Sequence, residues 1–139
     1  MKKMLIIGGV IAVGIFTTCF LGACSSGKSD EGSAGSPKAR ETLMGTDADG
    51  NGVRDDLDVY INTTYPNSAK TRAVLQQTAK ALQGAILDAN DKQKSLQHAE
   101  EDSRAHDCLV YTRPNDFPQI SSELEARVAN TDERLRAYL

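Results

Sequence analysis

Tryptophan is absent from this 139-residue chain, and aromatic content is low, with three Phe and four Tyr. Any core must therefore be built from Leu, Val, Ile and Ala. Proline is scarce, four in all, and no segment sustains the alternation of apolar and polar residues that marks a half-buried strand. Internal repeats are missing. The usual marks of catalysis are missing too. The pair Gly8-Gly9 lies in the apolar leader, so there is no Gly-rich phosphate loop. There is no G-x-S-x-G, no H-E-x-x-H, and no His–Cys pair with an orienting acid. Tyr60, Tyr65, Tyr111 and Tyr138 are scattered, and a domain this small leaves little room for a cleft between elements. These absences point to a non-enzymatic protein with no small-molecule substrate.

What is present begins at the first residue. Met1-Lys2-Lys3 is a short basic start, followed by an apolar run from Met4 to Ala23 that ends in Leu21-Gly22-Ala23-Cys24. A basic start, an apolar stretch and small residues before a cut site are the parts of a secretory signal. The competing reading is a spanning helix, since about 20 apolar residues suffice to cross a bilayer. The Leu21–Cys24 segment resembles the lipobox of bacterial lipoproteins, with an aliphatic residue, two small ones and Cys. That resemblance implies cleavage before Cys24 and a covalent lipid on its thiol, so residues 1–23 are expected to be a signal peptide. Two or three acyl chains would hold the protein to a membrane where one would not. Ser25 follows the Cys where Asp resembles an inner-membrane retention signal. The expected location is the cell envelope, on the periplasmic face of the outer membrane if the organism is Gram-negative.

Without Lys2 and Lys3 the chain keeps 14 basic against 19 acidic residues, a formal charge of −5. That sign disfavours nucleic acid and a polybasic membrane contact. Of the three Cys, Cys19 would leave with the signal and Cys24 would become a thioether. Cys108 is then alone, read first as a small buried hydrophobe, with an intermolecular disulfide or a reactive thiol as the alternative.

Residues 24–45 are expected to be the lipidated Cys and a flexible tether, because Gly and Ser dominate Ser25 to Arg40 and large apolar residues are lacking there. Residues 46–139 form the domain. Leu57 to Ile61 suggest a short helix stopped before Pro66. Leu75, Ala79, Leu82, Ile86 and Ala89 mark one face of a long helix starting near Ser68. Asp91 is placed to cap the next, whose stripe reads Leu96, Ala99, Ser103, His106 and Val110. A last helix carries Ile120, Leu124, Val128, Thr131, Leu135 and Tyr138, beginning at Pro118 or with a capping box at Ser122 and Glu125. Its end, on Leu139, is expected to pack. The fold class is all-α: a small helical bundle of one short and about three longer helices, preceded by a loop and a disordered tether.

That loop carries the chemistry. Residues 47–58 read Asp-Ala-Asp-Gly-Asn-Gly-Val-Arg-Asp-Asp-Leu-Asp. They resemble the EF-hand calcium loop, D-x-[DN]-x-[DN]-G-x5-E, at every position until Asp58 replaces Glu. Ca²⁺ takes six to eight oxygens. The resemblance assigns Asp47, Asp49, Asn51, the Val53 carbonyl, Asp55 and Asp58 as ligands, with Gly52 at the sharp turn. Ending on Asp resembles dockerin modules, and the Asp-Gly-Asn-Gly run is similar to thrombospondin type 3 segments. Nothing before Asp47 reads as an incoming helix, so a half EF-hand is expected. With a shorter acid and no paired loop, binding is expected to be weak. A solvated acidic turn is the bland alternative. Five carboxylates repel one another here, with only Arg54 in the loop to offset them.

Loop and helices together resemble a group of exported proteobacterial proteins of no assigned activity, on Gly52-Val53-Arg54-Asp55-Asp56 and on the late segment Asn130 to Leu139. The expected partner is another envelope component. His98, Asp102 and His106 recur every four residues, but eight residues of helix turn the second His about 80° from the first. A solvated His98 and a boundary His106 are the expectation, with Glu100-Glu101-Asp102 on a solvated face.

Intact-mass measurement on the natively expressed protein checks the leader. The expected product begins at Cys24 and carries the added mass of two or three acyl chains. An unmodified Cys24 with residues 1–23 attached removes the basis for the envelope reading.

Overall fold

The computed structural model describes residues 37–139. The leader, Cys24 and residues 24–36 of the tether lie outside the described residues. Six helices follow in order: α1 Pro37–Met44, α2 Asp55–Thr64, α3 Ala69–Leu87, α4 Lys92–Thr112, α5 Phe117–Val128 and α6 Asp132–Tyr138. The described residues contain no strand, and the domain is a small all-α bundle. No helix among them is long and apolar enough to cross a membrane.

The start and buried face of α3 and the start of α4 follow their sequence. Ser68 caps α3, its hydroxyl accepting the Thr71 N–H. Leu75, Ala79, Leu82 and Ile86 form its buried face, while Ala89 falls beyond its end and is exposed. Asp91 caps α4 by accepting the N–H groups of Gln93 and Lys94. Leu57 and Ile61 of α2 are fully buried against this face, joined by Leu109, Leu124 and Val128.

Four expectations are corrected. First, the tether does not extend to residue 45: Pro37–Met44 is helical, so a helix does precede the loop and the half EF-hand reading fails. Pro37 fits the first helical position because its missing N–H is not needed there. Leu43 is the single buried residue of this helix, too faint a signal for periodicity; tertiary contacts hold so short a helix. Second, the last helix is two. Thr131, taken for part of an apolar stripe, caps α6 by accepting the Arg134 N–H. Helix α5 begins at Phe117, so Ser122 and Glu125 form no capping box.

Third, the inner face of α4 is Ala105 and Leu109, with His98 and Asp102 half-buried beside them. Leu96 is 59% exposed, and Ala99, Ser103 and His106 also face outward. The first turns of α4 meet the polar α3–α4 corner rather than the core, so polar residues point inward there. Fourth, Leu139 does not pack; it is 94% exposed, and Arg134 is the buried residue of α6.

Arginine fastens the helix ends. The last carbonyls of a helix have no intrahelical partner and carry partial negative charge. Arg40 of α1 donates to Leu87 O at the end of α3, at 2.8 Å. Arg54, just before α2, donates to Arg127 O and Val128 O at the end of α5. Arg72 of α3 donates to Tyr65 O and Pro66 O beyond α2. Arg134 of α6 donates to Thr42 O and Leu43 O at the end of α1. Arg54 and Arg134 are buried, and Arg54 also grips Asp56 with two 2.8 Å hydrogen bonds. Gly45 (φ +70°) makes their approach possible: a Cβ there would lie 2.7 Å from Arg54 Cδ and 2.8 Å from Arg134 Nη2.

Arg54→Ala orphans two helix-terminal carbonyls and should lower unfolding free energy by about 2–4 kcal/mol. Arg40→Ala, at an exposed pair, should cost less than about 1 kcal/mol. Urea denaturation followed by circular dichroism checks the contrast.

Candidate metal-binding loop

The loop between α1 and α2 is closed at its base by backbone. Asp55 N donates to Thr46 O at 2.9 Å, and Ala48 N donates to Asp55 Oδ1 at 3.0 Å. Inside this closure the chain winds around its own acids. Asp47 accepts the backbone N–H groups of Asn51 (3.2 Å) and Gly52 (2.9 Å). Asp49 accepts the Asn51 N–H at 3.1 Å. Gly50 (φ +69°) and Gly52 (φ +87°) supply the left-handed turns that allow this winding.

Asn51 stands at the centre. Its Nδ2 donates to Asp49 Oδ2 at 3.1 Å and to Asp58 Oδ2 at 2.7 Å, while its Oδ1 accepts the Val53 N–H at 2.7 Å. The structure thus brings Asp47, Asp49, Asn51 and Asp58 together. Asp55 is turned to the base of the loop, with one carboxylate oxygen on the Ala48 N–H. Val53 buries its side chain in the core, 3% exposed, which anchors the loop. Among the described residues no three His, Cys, Asp or Glu side chains are grouped so as to hold a metal ion. Instead the Asn51 amide donor lies between Asp49 and Asp58 and bonds both.

The counter-charge is narrower than expected. Arg54 offsets only one of the five loop acids: its guanidinium turns into the bundle, grips Asp56 and holds that carboxyl below its usual range. Helix α3 supplies the loop's polar partners instead. Lys80 Nζ lies 3.3 Å from Asn51 O, Gln76 Nε2 donates to Asp58 Oδ1 at 3.0 Å, and buried Gln83 accepts the Arg54 N–H. Sequence reasoning missed these three. Their spacing of four and three, one position out of register with the apolar stripe, was the available signal.

The other titratable groups separate into local clasps. His98 is not solvated: its Nε2 lies 3.1 Å from Asp88 and its Nδ1 3.4 Å from Glu101. Asp88 also receives Arg40 and Lys94, and although burial pushes its carboxyl up, these donors and His98 hold it below the usual range. His106 is exposed and meets the Phe117 ring edge-on. Asp102 is half-buried rather than solvated; burial, then the Glu125 charge, raises its carboxyl. Tyr65 is pushed up to about 12 by burial and by Tyr60. Cys108 is a free, exposed thiol and not a buried hydrophobe. Room for clefts exists despite the small size: one of about 330 Å³ lies between α2 and α5 beside Asp56 and Arg127.

No family model matches this chain, and neither the curated proteins nor the solved structures yield a match.

Because Gly52 adopts a left-handed φ and lies against Lys80, Gly52→Ala should destabilise the domain by about 1–3 kcal/mol. Gly50, which has open space around its α-carbon, should respond to Ala by backbone strain alone, at the low end of that range. Chemical denaturation of both variants measures the difference.

Proposed function

We propose that this chain is a non-enzymatic envelope lipoprotein, anchored to a membrane through Cys24, whose loop 47–58 binds Ca²⁺ weakly and whose helical domain engages another envelope component. The observation that carries the calcium reading is the winding of the loop around Asp47 and Asn51. Backbone N–H groups hold the Asp47 carboxylate inside the turn, and the Asn51 amide joins Asp49 to Asp58. The donor set fits a hard cation. Side-chain oxygens of Asp47, Asp49, Asn51 and Asp58, with the Val53 carbonyl and water, are the oxygen ligands Ca²⁺ takes, and Asp55 serves through water or its free oxygen. In binding, the ion takes over the role that the Asn51 amide donor now has toward the two carboxylates. That exchange, the shorter Asp58 side chain and nearby Lys80 all favour weak affinity, in the range of about 10⁻⁴–10⁻³ M of extracellular modules.

A second reading makes the loop a fold staple in an assembly lipoprotein. It is favoured by the burial of Val53 and Arg54, which run directly from the loop into the core. Both readings share the lipid anchor and differ in what the ion does.

Calorimetric titration of the full chain in detergent separates them. Heat of binding at sub-millimolar to millimolar Ca²⁺ is expected, lost in Asp47→Ala and Asp58→Ala. Calcium at tenfold its dissociation constant should stabilise the fold by about 1.4 kcal/mol. Absence of both heat and thermal shift at millimolar calcium removes the calcium reading. If the variants lose stability but still retain a partner cross-linked in intact envelopes, the staple reading stands.

A further inference from the structure

A groove of about 510 Å³ runs along the outer side of the α3–α4 pair. Its floor is Ala73 and Val74 of α3. On the α4 side stand Cys108, exposed and free, and Tyr111, 89% exposed and the most exposed aromatic among the described residues. Two opposite charges flank it: Lys70 on α3 and Asp107 on α4. Both are exposed, and neither forms a salt bridge with a described residue.

An apolar strip bordered by one unpaired cation and one unpaired anion is self-complementary. Under twofold symmetry the same patch serves both partners, so a residue on one side of the axis meets its counterpart from the other. We propose that this face binds a second copy of the chain, with Lys70 of each protomer against Asp107 of its partner and the two Tyr111 side chains packed over Ala73 and Val74. Aromatic side chains of this kind are enriched at such contacts, and a polar rim around an apolar centre is their usual arrangement. The patch is small, so association is weak and transient. The inference does not depend on calcium binding by the loop.

Cys108 is a reporter already in place. In the dimer two Cys108 thiols come within reach of a short bis-maleimide, which alkylates each thiol by addition across a maleimide double bond and needs no oxidant. The experiment uses the full chain in detergent, cross-linked and read as dimer on a denaturing gel. A dimer band is expected in the parent and absent in Cys108→Ser, which excludes links between Cys19 and Cys24 alone as its source. Lys70→Glu and Asp107→Lys should each lower the yield on the order of tenfold, because each places like charges face to face. The double exchange, K70E with D107K, should restore it, while circular dichroism stays unchanged in all three. A yield indifferent to the single exchanges, a double exchange that fails to recover, or no Cys108-dependent band overturns the proposal.

Discussion

A cation buried at the point where loop meets bundle is the constraint on which the rest of this structure depends. Arg54 is 2% exposed, and an unpaired charge at such a place would be prohibitive. It is satisfied by the Asp56 carboxylate and by the last two carbonyls of α5. Those partners fix three things together: the exit of the loop, the start of α2 and the end of α5. Arg134 stands beside it, reaching the end of α1, with burial and then the Arg54 charge depressing its affinity for its proton. The two arginines come from segments far apart in the chain, Gly52–Asp56 and Asn130–Leu139. Folding makes them neighbours.

This arrangement relates the loop to the helices. The acids at the outer edge of the loop are exposed or half-buried and are held by amides. The residues at its inner edge, Val53 and Arg54, belong to the core. Only two or three peptide units separate the outer-edge residue Asn51 from Arg54, whose guanidinium meets the end of α5. The proposed ion would sit at one end of this short path and the α5–α6 corner at the other.

Much of the helical part was legible because it rests on local chemistry. Leu75, Ala79, Leu82 and Ile86 repeat at helical spacing, Ser68 and Asp91 are cap residues in cap positions, and Pro66 and Pro114 lie just beyond helix ends. What escaped depends on long-range polar contacts. α1 has one buried apolar residue and is held by contacts 48 and 91 positions apart in the chain, its own Arg40 to Asp88 and Arg134 to its Leu43 carbonyl. The inward face of α4 includes His98, whose partner Asp88 satisfies it, so hydrophobic periodicity pointed to Leu96 instead. Thr131 could be read either as a stripe member or as a cap, and only the turn at Ala129–Asn130 decides. In the loop, the acids were visible as a set, but the direction of Arg54 and the arrival of Gln76 and Lys80 from α3 were not.

Fastening helix ends with guanidinium groups has a consequence for acid tolerance. Arginine keeps its proton throughout the range in which proteins stay folded, and a peptide carbonyl does not titrate. A corner built from that pair is chemically the same in acid and at neutrality. Asp56 alone among the Arg54 partners can change state; its carboxyl is depressed by that arginine, so its contribution is complete above the ordinary aspartate range and fades as pH falls through the lowered value. As pH falls the Arg54 corner would thus loosen at one exposed carboxylate while the carbonyl contacts at the ends of α1, α2, α3 and α5 persist.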